Sequence, residues 1–414
     1  MANSILLPGA QPAAPLKSQF YTMVKPVGAS CNLDCRYCYY LHKESLLQQQ
    51  RSQPMPPALL AEWVKQYIAS QSGREIVFSW QGGEPTLAGL AYFEQIITLQ
   101  QRFQPAGQRI VNTLQTNGTL LNERWCRWLK AHDFLVGLSI DGPEKLHDAF
   151  RLTRQQQPTF GMVMRGVEML KKHNVAFNTL TVVNRLNAHH PLEVYRFLRD
   201  EVRPLMIQLI PCVEPKDFCR TAPQSWRADQ MPRVGSAATF PGDPAAVVTD
   251  WSVKASQWGD FLCRVFDEWY GKDLGFVFVN LFETAVAQMM GLPAQICTHS
   301  RECGKALALE QDGSVYACDH YVYPEYRLGN IQQTPIATLA SSARQSQFGR
   351  DKSAALTAYC RQCVHLSLCW GECPRNRFIQ TPDGEPGLNY LCPGLKKFYQ
   401  HAHPALRRMA ADLA

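Results

Sequence analysis

A chain of 414 residues has room for one barrel-sized α/β domain and a smaller one. At 46% hydrophobic and 19% charged it has an ordinary globular composition, and no run approaches the ~20 apolar residues that would span a bilayer. The formal charge of +7 is scattered rather than blocked, so it argues for neither a nucleic-acid nor a membrane partner.

Residues 1–19 are Pro/Ala-rich and nearly uncharged, with no basic segment leading into an apolar core; they read as a tail and give no secretion signal, so a cytoplasmic location is expected. From residue 20 short apolar runs alternate with amphipathic helical stretches. The expected strands are Phe20–Lys25, Glu75–Trp80, Arg109–Thr113, Leu135–Ile140, Ala176–Val183 and Met206–Ile210. The expected helices between them are Pro57–Ser70, Leu90–Phe103, Glu123–His132, Phe160–His173 and Pro191–Glu201. Strict alternation predicts a parallel sheet with crossover helices. A partial (β/α)6 barrel and a doubly wound open sheet share this pattern. The loaded stretches each follow a strand, at the rim where α/β barrels place their sites, which favours the barrel over 20–250.

The rhythm breaks at 213–250, where Pro215, Pro223, Pro232, Pro241 and Pro244 mark a loop-rich excursion. Helical pattern returns at Trp258–Tyr270 and Leu281–Met290, giving a helical linker over 251–296. A cysteine-rich domain is expected over 297–393, with a hairpin turning at Gln311-Asp312-Gly313, and a C-terminal helix over 394–414.

Fifteen cysteines are the anomaly in this composition. Cys126, Cys212, Cys219 and Cys263 are scattered and read as ordinary buried or loop thiols. The other eleven form two groups, which in a reducing compartment favours metal over disulfides. Cys31, Cys35 and Cys38 stand at C-x3-C-x2-C spacing. Three thiolates on a [4Fe–4S] cube leave one iron open to an outside ligand. A zinc knuckle is the competing reading, but it needs a fourth Cys or His nearby, and the nearest, His42, lies four residues on. The remaining eight are Cys297, Cys303, Cys318, Cys360, Cys363, Cys369, Cys373 and Cys392. Only one C-x2-C occurs among them, so paired zinc sites fit less well than two fully ligated cubes.

Three loops carry further chemistry. In Gln81-Gly82-Gly83-Glu84-Pro85, paired glycines permit close backbone approach and Glu84 offers a fixed negative charge, suited to an ammonium; a tight turn is the bland reading. Ser139, at the end of the fourth strand, can bind a ligand carboxylate or ribose, and Arg151 can clamp a carboxylate with two donors. Asp319, directly after Cys318, is placed either for proton transfer or to orient its neighbouring cysteine.

These stretches together resemble the radical S-adenosylmethionine (SAM) enzymes with a C-terminal SPASM domain, and specifically the anaerobic sulfatase-maturating enzymes. The resemblance is carried by Lys25-Pro26, Cys31–Cys38 with Tyr39-Tyr40, Trp80–Leu87, Gln115–Gly118, Gly137–Pro143, Tyr316–His320, Tyr326–Asn330 and Gly387–Cys392. It implies oxidation of a Cys or Ser in a sulfatase Cys/Ser-x-Pro-x-Arg motif to Cα-formylglycine, through a 5′-deoxyadenosyl radical that takes a Cβ hydrogen. It implies SAM and three [4Fe–4S] clusters. Cys31, Cys35 and Cys38 would hold the SAM-binding cluster. Cys297, Cys303, Cys318 and Cys373 would hold one auxiliary cluster, and Cys360, Cys363, Cys369 and Cys392 the other. Tyr37, Gly82, Gly83, Glu84, Ser139, Arg151 and Ile207 would contact SAM, Tyr40 and Gln81 would lie near the substrate, and Asp319 would take the substrate proton. The implied partners are an unfolded or nascent sulfatase polypeptide and a flavodoxin- or ferredoxin-like electron donor, with no nucleic acid and no membrane. A SPASM-type maturase forming thioether or carbon–carbon links in a ribosomal peptide is the alternative.

Overall fold

A computed structural model describes residues 20–48 and 53–413; the tail 1–19 lies outside the described residues. Six parallel strands follow in chain order: β1 (Tyr21–Val24), β2 (Glu75–Trp80), β3 (Arg109–Thr116), β4 (Leu135–Ser139), β5 (Phe177–Val183) and β6 (Met206–Pro211). Each pairs with the next in parallel. The strand order never reverses, whereas a doubly wound sheet turns back at a switch point, so the crossovers all build in one direction as in a partial barrel. The sheet continues at one end into the two-residue β7 (Phe278–Val279). At the other end it continues into β8 (Ala306–Leu309), β9 (Ser314–Tyr316) and β10 (Arg327–Asn330).

The junction at β1 organises the molecule. β8 runs parallel to β1, with Val24 opposite Leu309, and the cysteine-rich hairpin β8–β9 thereby becomes part of the barrel sheet. Glu310, which follows β8, is thereby delivered to the same rim as whatever follows β1, and β9 runs back antiparallel from that rim.

Helix Pro57–Ser70 shows why the crossover helices form where the pattern places them. Proline stands at its first turn, where no intrahelical N–H is needed, and Leu60, Trp63, Val64, Tyr67 and Ile68 recur at three- and four-residue spacing on the buried face. Trp63 meets Phe78 and Trp80 of β2 edge-on, at centroid distances of 5.2 and 5.3 Å.

Residues 212–254 contain short 3₁₀ turns and no strand of the sheet, as the proline spacing predicts. They are nonetheless pinned: Tyr390 Oη donates to the carbonyls of Thr239 and Val253 at 3.1 and 3.2 Å. Helix Cys392–Asp412 starts two residues before the expected boundary and lies against helix Ala255–Glu268 at a glycine crossing. A Cβ on Gly394 would fall 1.9 Å from the Ala255 carbonyl oxygen, so only glycine permits this approach.

The Gly82-Gly83 pair does similar work beside β2. A Cβ on Gly83 would lie 2.0 Å from the Ser30 carbonyl oxygen, and Gly83 and Glu84 donate their N–H groups to Gly28 and Ser30. The close approach these glycines allow is that of the cysteine-bearing loop itself. Gly83→Ala is therefore expected to displace that loop: iron per chain should fall by about one third, one cube in three, while the two C-terminal sites keep theirs. Metal analysis after anaerobic reconstitution checks this; unchanged iron with unchanged spectra would refute it.

Candidate active site and cluster sites

Cys31, Cys35 and Cys38 sit on the loop after β1. The loop is held by backbone bonds from Asp34 to Leu152 (2.8 Å) and Arg36 to Phe150 (3.0 Å), and by Arg154 donating to the Cys31 carbonyl (2.8 Å). N–H groups already point at sulfur: Leu33 N and Asn117 Nδ2 approach Cys31 Sγ at 3.4 and 3.8 Å. Burial, with Glu84 adding repulsion, pushes the Cys31 thiol up to about 12, and burial also raises Cys35 and Cys38. Cys38 raises Cys31 and Cys35, Cys31 also raises Cys35, and Arg151 lowers Cys35 and Cys38. Such thiols stay protonated until a cation replaces the proton. The donor set of three thiols, N–H groups aimed at sulfur and one nearby guanidinium fits a cube with one open iron.

Around this loop, Arg151 donates through Nε (2.9 Å) and Nη2 (3.2 Å) to Asp141, which also accepts from Tyr37 Oη. Arg151 is thus held in place by Asp141, which the sequence reading did not include; its Nη1 carries no hydrogen bond among the described residues. Glu84 is fully buried and accepts four bonds, from Thr86 N and Oγ1 (3.0 and 2.6 Å), Thr116 Oγ1 (2.8 Å) and Asn117 N (2.7 Å). It ties the loop after β2 to the loop after β3, and burial raises its pKa against those hydrogen bonds. Ser139 closes β4, and Ile207 is buried in β6 between Thr179 and Val279.

Asp319, 5% exposed, touches the cysteine loop's continuation at Tyr39. One of its oxygens pairs with the ammonium of Lys25, 1% exposed, and the other accepts from Tyr39 Oη. Burial alone would raise this carboxyl, but Lys25 and the hydrogen bonds outweigh it and hold Asp319 below the usual carboxylate range. Lys25 follows β1 and Asp319 follows β9, so the β1–β8 junction brings together residues 294 positions apart. Lys25 also lies 4.5 Å from the centre of the Tyr40 ring, whose hydroxyl donates to Glu310. Gln81 is buried beside them, its N–H bonded to the Val24 carbonyl. His320 stacks on Tyr39 at 5.0 Å and is pushed down to about 3 by burial and by Arg375, which keeps the ring neutral.

Lys43, buried over the Tyr323 ring at 3.0 Å, has no hydrogen-bond partner for Nζ among the described residues. Burial pushes its pKa down to about 7, against the pull of Glu214. The unfolded chain then binds more protons than the folded one between about pH 7 and 10, so this group favours folding as pH rises through that window. Lys43→Met is expected to raise the melting temperature of the reconstituted protein, and to raise it more at pH 6.5 than at pH 9.5. Each pK unit represents about 1.4 kcal/mol. An equal gain at both pH values would contradict this account.

The eight C-terminal cysteines separate into two electrostatic neighbourhoods. Cys318 is raised by burial and then by Cys297 and Cys373, and Cys297 also raises Cys303. Cys392 is raised by burial and then by Cys369, Cys360 and Cys363, and those four line one apolar pocket. The chain changes group between Cys369 and Cys373 by a reversal in which Trp370, Gly371 and Glu372 all have positive φ (47°, 66°, 49°). Asn389 fastens it, with Nδ2 donating to Gly371 O (3.2 Å), Glu372 Oε2 (2.7 Å) and Cys373 O (3.1 Å). Two buried cations serve the first group. Lys352 donates to the carbonyls of Cys297 and Thr298 (2.5 and 2.7 Å), and Arg375 adjoins Cys373. Both offset thiolate repulsion. Neither stands in a recognisable sequence pattern; the one signal for Arg375 is its place two residues after a cysteine.

A parallel partial barrel with an open thiol triad at its rim, facing a cysteine-rich hairpin domain, defines a radical SAM enzyme with an iron–sulfur SPASM domain. The family models agree: residues 26–198 match the radical SAM superfamily and 297–364 the SPASM iron–sulfur cluster-binding domain. A serine-type anaerobic sulfatase-maturating enzyme of Bacteroides thetaiotaomicron is 41% identical over 97% of this chain and 93% of its own. A cysteine-type enzyme of Clostridium perfringens is 31% identical over 94% and 98%. The solved structure of native anSMEcpe with AdoMet and the Cp18Cys peptide bound superposes with a TM-score of 0.80 at 32% identity, covering 95% of this chain and 99% of that one. The chain belongs to the anaerobic sulfatase-maturating enzymes, as its motifs imply.

Proposed function

We propose that this enzyme oxidises the reacting serine or cysteine of a sulfatase Cys/Ser-x-Pro-x-Arg segment to Cα-formylglycine, with Asp319 as the proton acceptor. The observation that carries this is the buried Asp319, ionised by Lys25 and hydrogen-bonded by Tyr39, the residue directly after Cys38 of the triad. Identity is higher to the serine-type relative (41%) than to the cysteine-type one (31%), which supports serine as the natural residue. A peptide cyclase shares the fold but receives no support from the relatives named above.

When bound, a reduced [4Fe–4S] cluster and SAM supply the radical that takes one hydrogen atom from the substrate Cβ. The chain's own residues do the rest. A radical centre at Cβ makes the adjoining O–H or S–H far more acidic, and Asp319 takes that proton at its carboxylate. Lys25 and Tyr39 keep the carboxylate charged and aimed until then. Serine loses two hydrogens in all and yields the aldehyde directly; cysteine yields a thioaldehyde, which water converts to the aldehyde with release of hydrogen sulfide.

The two groupings of thiols in the eight-cysteine domain would hold two auxiliary [4Fe–4S] clusters, for three in all, and these would supply an acceptor for the second electron. In this reading Tyr37, Gly82, Gly83, Glu84, Ser139, Arg151 and Ile207 form or support the SAM site, and Tyr40 and Gln81 lie toward the substrate. A flavodoxin- or ferredoxin-like protein supplies the first electron. Among the described residues no helix is long and apolar enough to cross a membrane, and no disulfide forms, which supports work in a reducing cytoplasm.

The test is anaerobic reconstitution followed by incubation with SAM, reductant and a Ser-x-Pro-x-Arg peptide. We expect about twelve irons per chain and a peptide lighter by two hydrogens that a hydrazine traps. Stoichiometric zinc without iron, or an unreacted peptide beside turnover of a cyclisable precursor, would overturn the assignment.

A further inference from the structure

Two buried donors beside the first group of C-terminal cysteines have capacity that no described residue uses. Tyr321, 1% exposed, ends the short turn after Cys318, with its N–H bonded to the Cys318 carbonyl at 2.9 Å. Tyr326 and Phe348 meet its ring edge-on at 4.7 and 5.0 Å and fix its plane. Phe348 in turn offers its carbonyl to the Cys303 thiol at 4.0 Å. Yet Tyr321 Oη has no hydrogen-bond partner among the described residues. Burial raises its pKa well above the usual tyrosine range, and Cys373, Cys318, Tyr326 and Cys303 add to the rise, so three of the four thiols stand around the hydroxyl.

Lys352, in the polar helix Ala343–Ala354, is fully buried. Its Nζ donates to the carbonyls of Cys297 and Thr298, and an ammonium has three N–H donors, so one is left over among the described residues. Its strongest attractions are to Cys373, Cys297 and Cys303. Buried donors almost always have an acceptor, and packing alone calls for nothing more than phenylalanine at 321. The sulfurs of a cube are acceptors that would sit among these same thiols. The other group is built differently: its pocket is apolar, and the cation acting on Cys392 is Lys396, exposed and bonded to Tyr359 Oη at 3.0 Å.

We propose that Tyr321 and Lys352 set the reduction potential of a [4Fe–4S] cluster held by Cys297, Cys303, Cys318 and Cys373. The hydroxyl donates to a cluster sulfur and the ammonium offsets cluster charge. Both favour the reduced form, which carries one more negative charge, and so raise the potential. The proposal rests on the reading that these four thiols hold a cluster. The electron taken up is the one that the deprotonated substrate radical gives up as it becomes the aldehyde.

The reconstituted full-length enzyme is titrated potentiometrically, with cluster reduction followed by electron paramagnetic resonance, in the wild type, Tyr321→Phe and Lys352→Gln. Added SAM identifies the triad cluster by changing its signal, which leaves two midpoints for the C-terminal domain. Tyr321→Phe removes only the hydroxyl and should keep about twelve irons per chain. It should make reduction of one C-terminal cluster about tenfold less favourable, a fall of about 59 mV for a one-electron couple, with the other midpoints unmoved. Lys352→Gln, which keeps a donor for the two carbonyls, should lower the same midpoint at least as far; if it fails to load iron, Tyr321→Phe decides alone. Unmoved midpoints in fully loaded Tyr321→Phe overturn the proposal and leave the cluster reading standing. A wild type with about eight irons and one C-terminal midpoint removes the cluster from these four thiols, and the proposal with it.

Discussion

Asp319→Asn is expected to keep full iron loading and to lower aldehyde formation by about 10²- to 10⁴-fold, the range over which a positioned proton acceptor acts. The amide is isosteric and its oxygen can still accept from Tyr39 and Lys25, so the fold should hold while the lost counter-charge of Lys25 lowers the melting temperature. The amide cannot take a proton. Cleavage of SAM to 5′-deoxyadenosine should therefore continue while the peptide stays largely unoxidised. Quantifying 5′-deoxyadenosine and peptide aldehyde in the same reaction checks this. Wild-type aldehyde yield from the variant would remove Asp319 from the proton-accepting role.

Lys25→Met is expected to be more damaging to stability than any exposed substitution. Lys25 and Asp319 are both almost fully buried, and removing one member of a buried ion pair leaves the other charged and unpaired, at about 3–5 kcal/mol. Tyr39 still donates to Asp319, which places the expected loss toward the lower end. The double variant Lys25→Met/Asp319→Asn should recover most of it, because neither charge then remains. Thermal unfolding of the wild type, both single variants and the double variant forms a cycle whose coupling term is the test. A double variant no more stable than Lys25→Met would show that Lys25 contributes packing alone.

Local order in this chain was largely legible. Glu75–Trp80, Pro57–Ser70 and Leu90–Phe103 have the boundaries that alternation, helical spacing and an N-terminal proline predict. Arg109–Thr116 runs three residues past expectation because β4 pairs with Thr113–Thr116, a contact no local pattern encodes. Helix Ala343–Ala354 was not anticipated: it is polar nearly throughout, and Gln345, Gly349 and Lys352 are buried by tertiary packing rather than by hydrophobic spacing. The two residues of β7 are too short to register as a pattern.

The site divides in the same way. Counting and spacing separate the triad from the eight later cysteines, because each cube demands a fixed number of thiolates; which four of the eight go together is what the resemblance implies. The ion pairs that charge and aim the site were not visible. Lys25 with Asp319, Asp141 with Arg151 and Glu214 with Arg375 join residues that only the folded sheet brings together. The glycines at 82 and 83 read locally as room for a ligand, and the structure fills that room with the backbone of the cysteine loop.

The central claim is that a radical formed at the triad removes a Cβ hydrogen from a peptide held beside Asp319. The most direct test uses a peptide whose reacting serine carries deuterium at Cβ. Deuterium should appear in 5′-deoxyadenosine in step with formylglycine. Unlabelled 5′-deoxyadenosine alongside an aldehyde product, or alongside unchanged peptide, would contradict it.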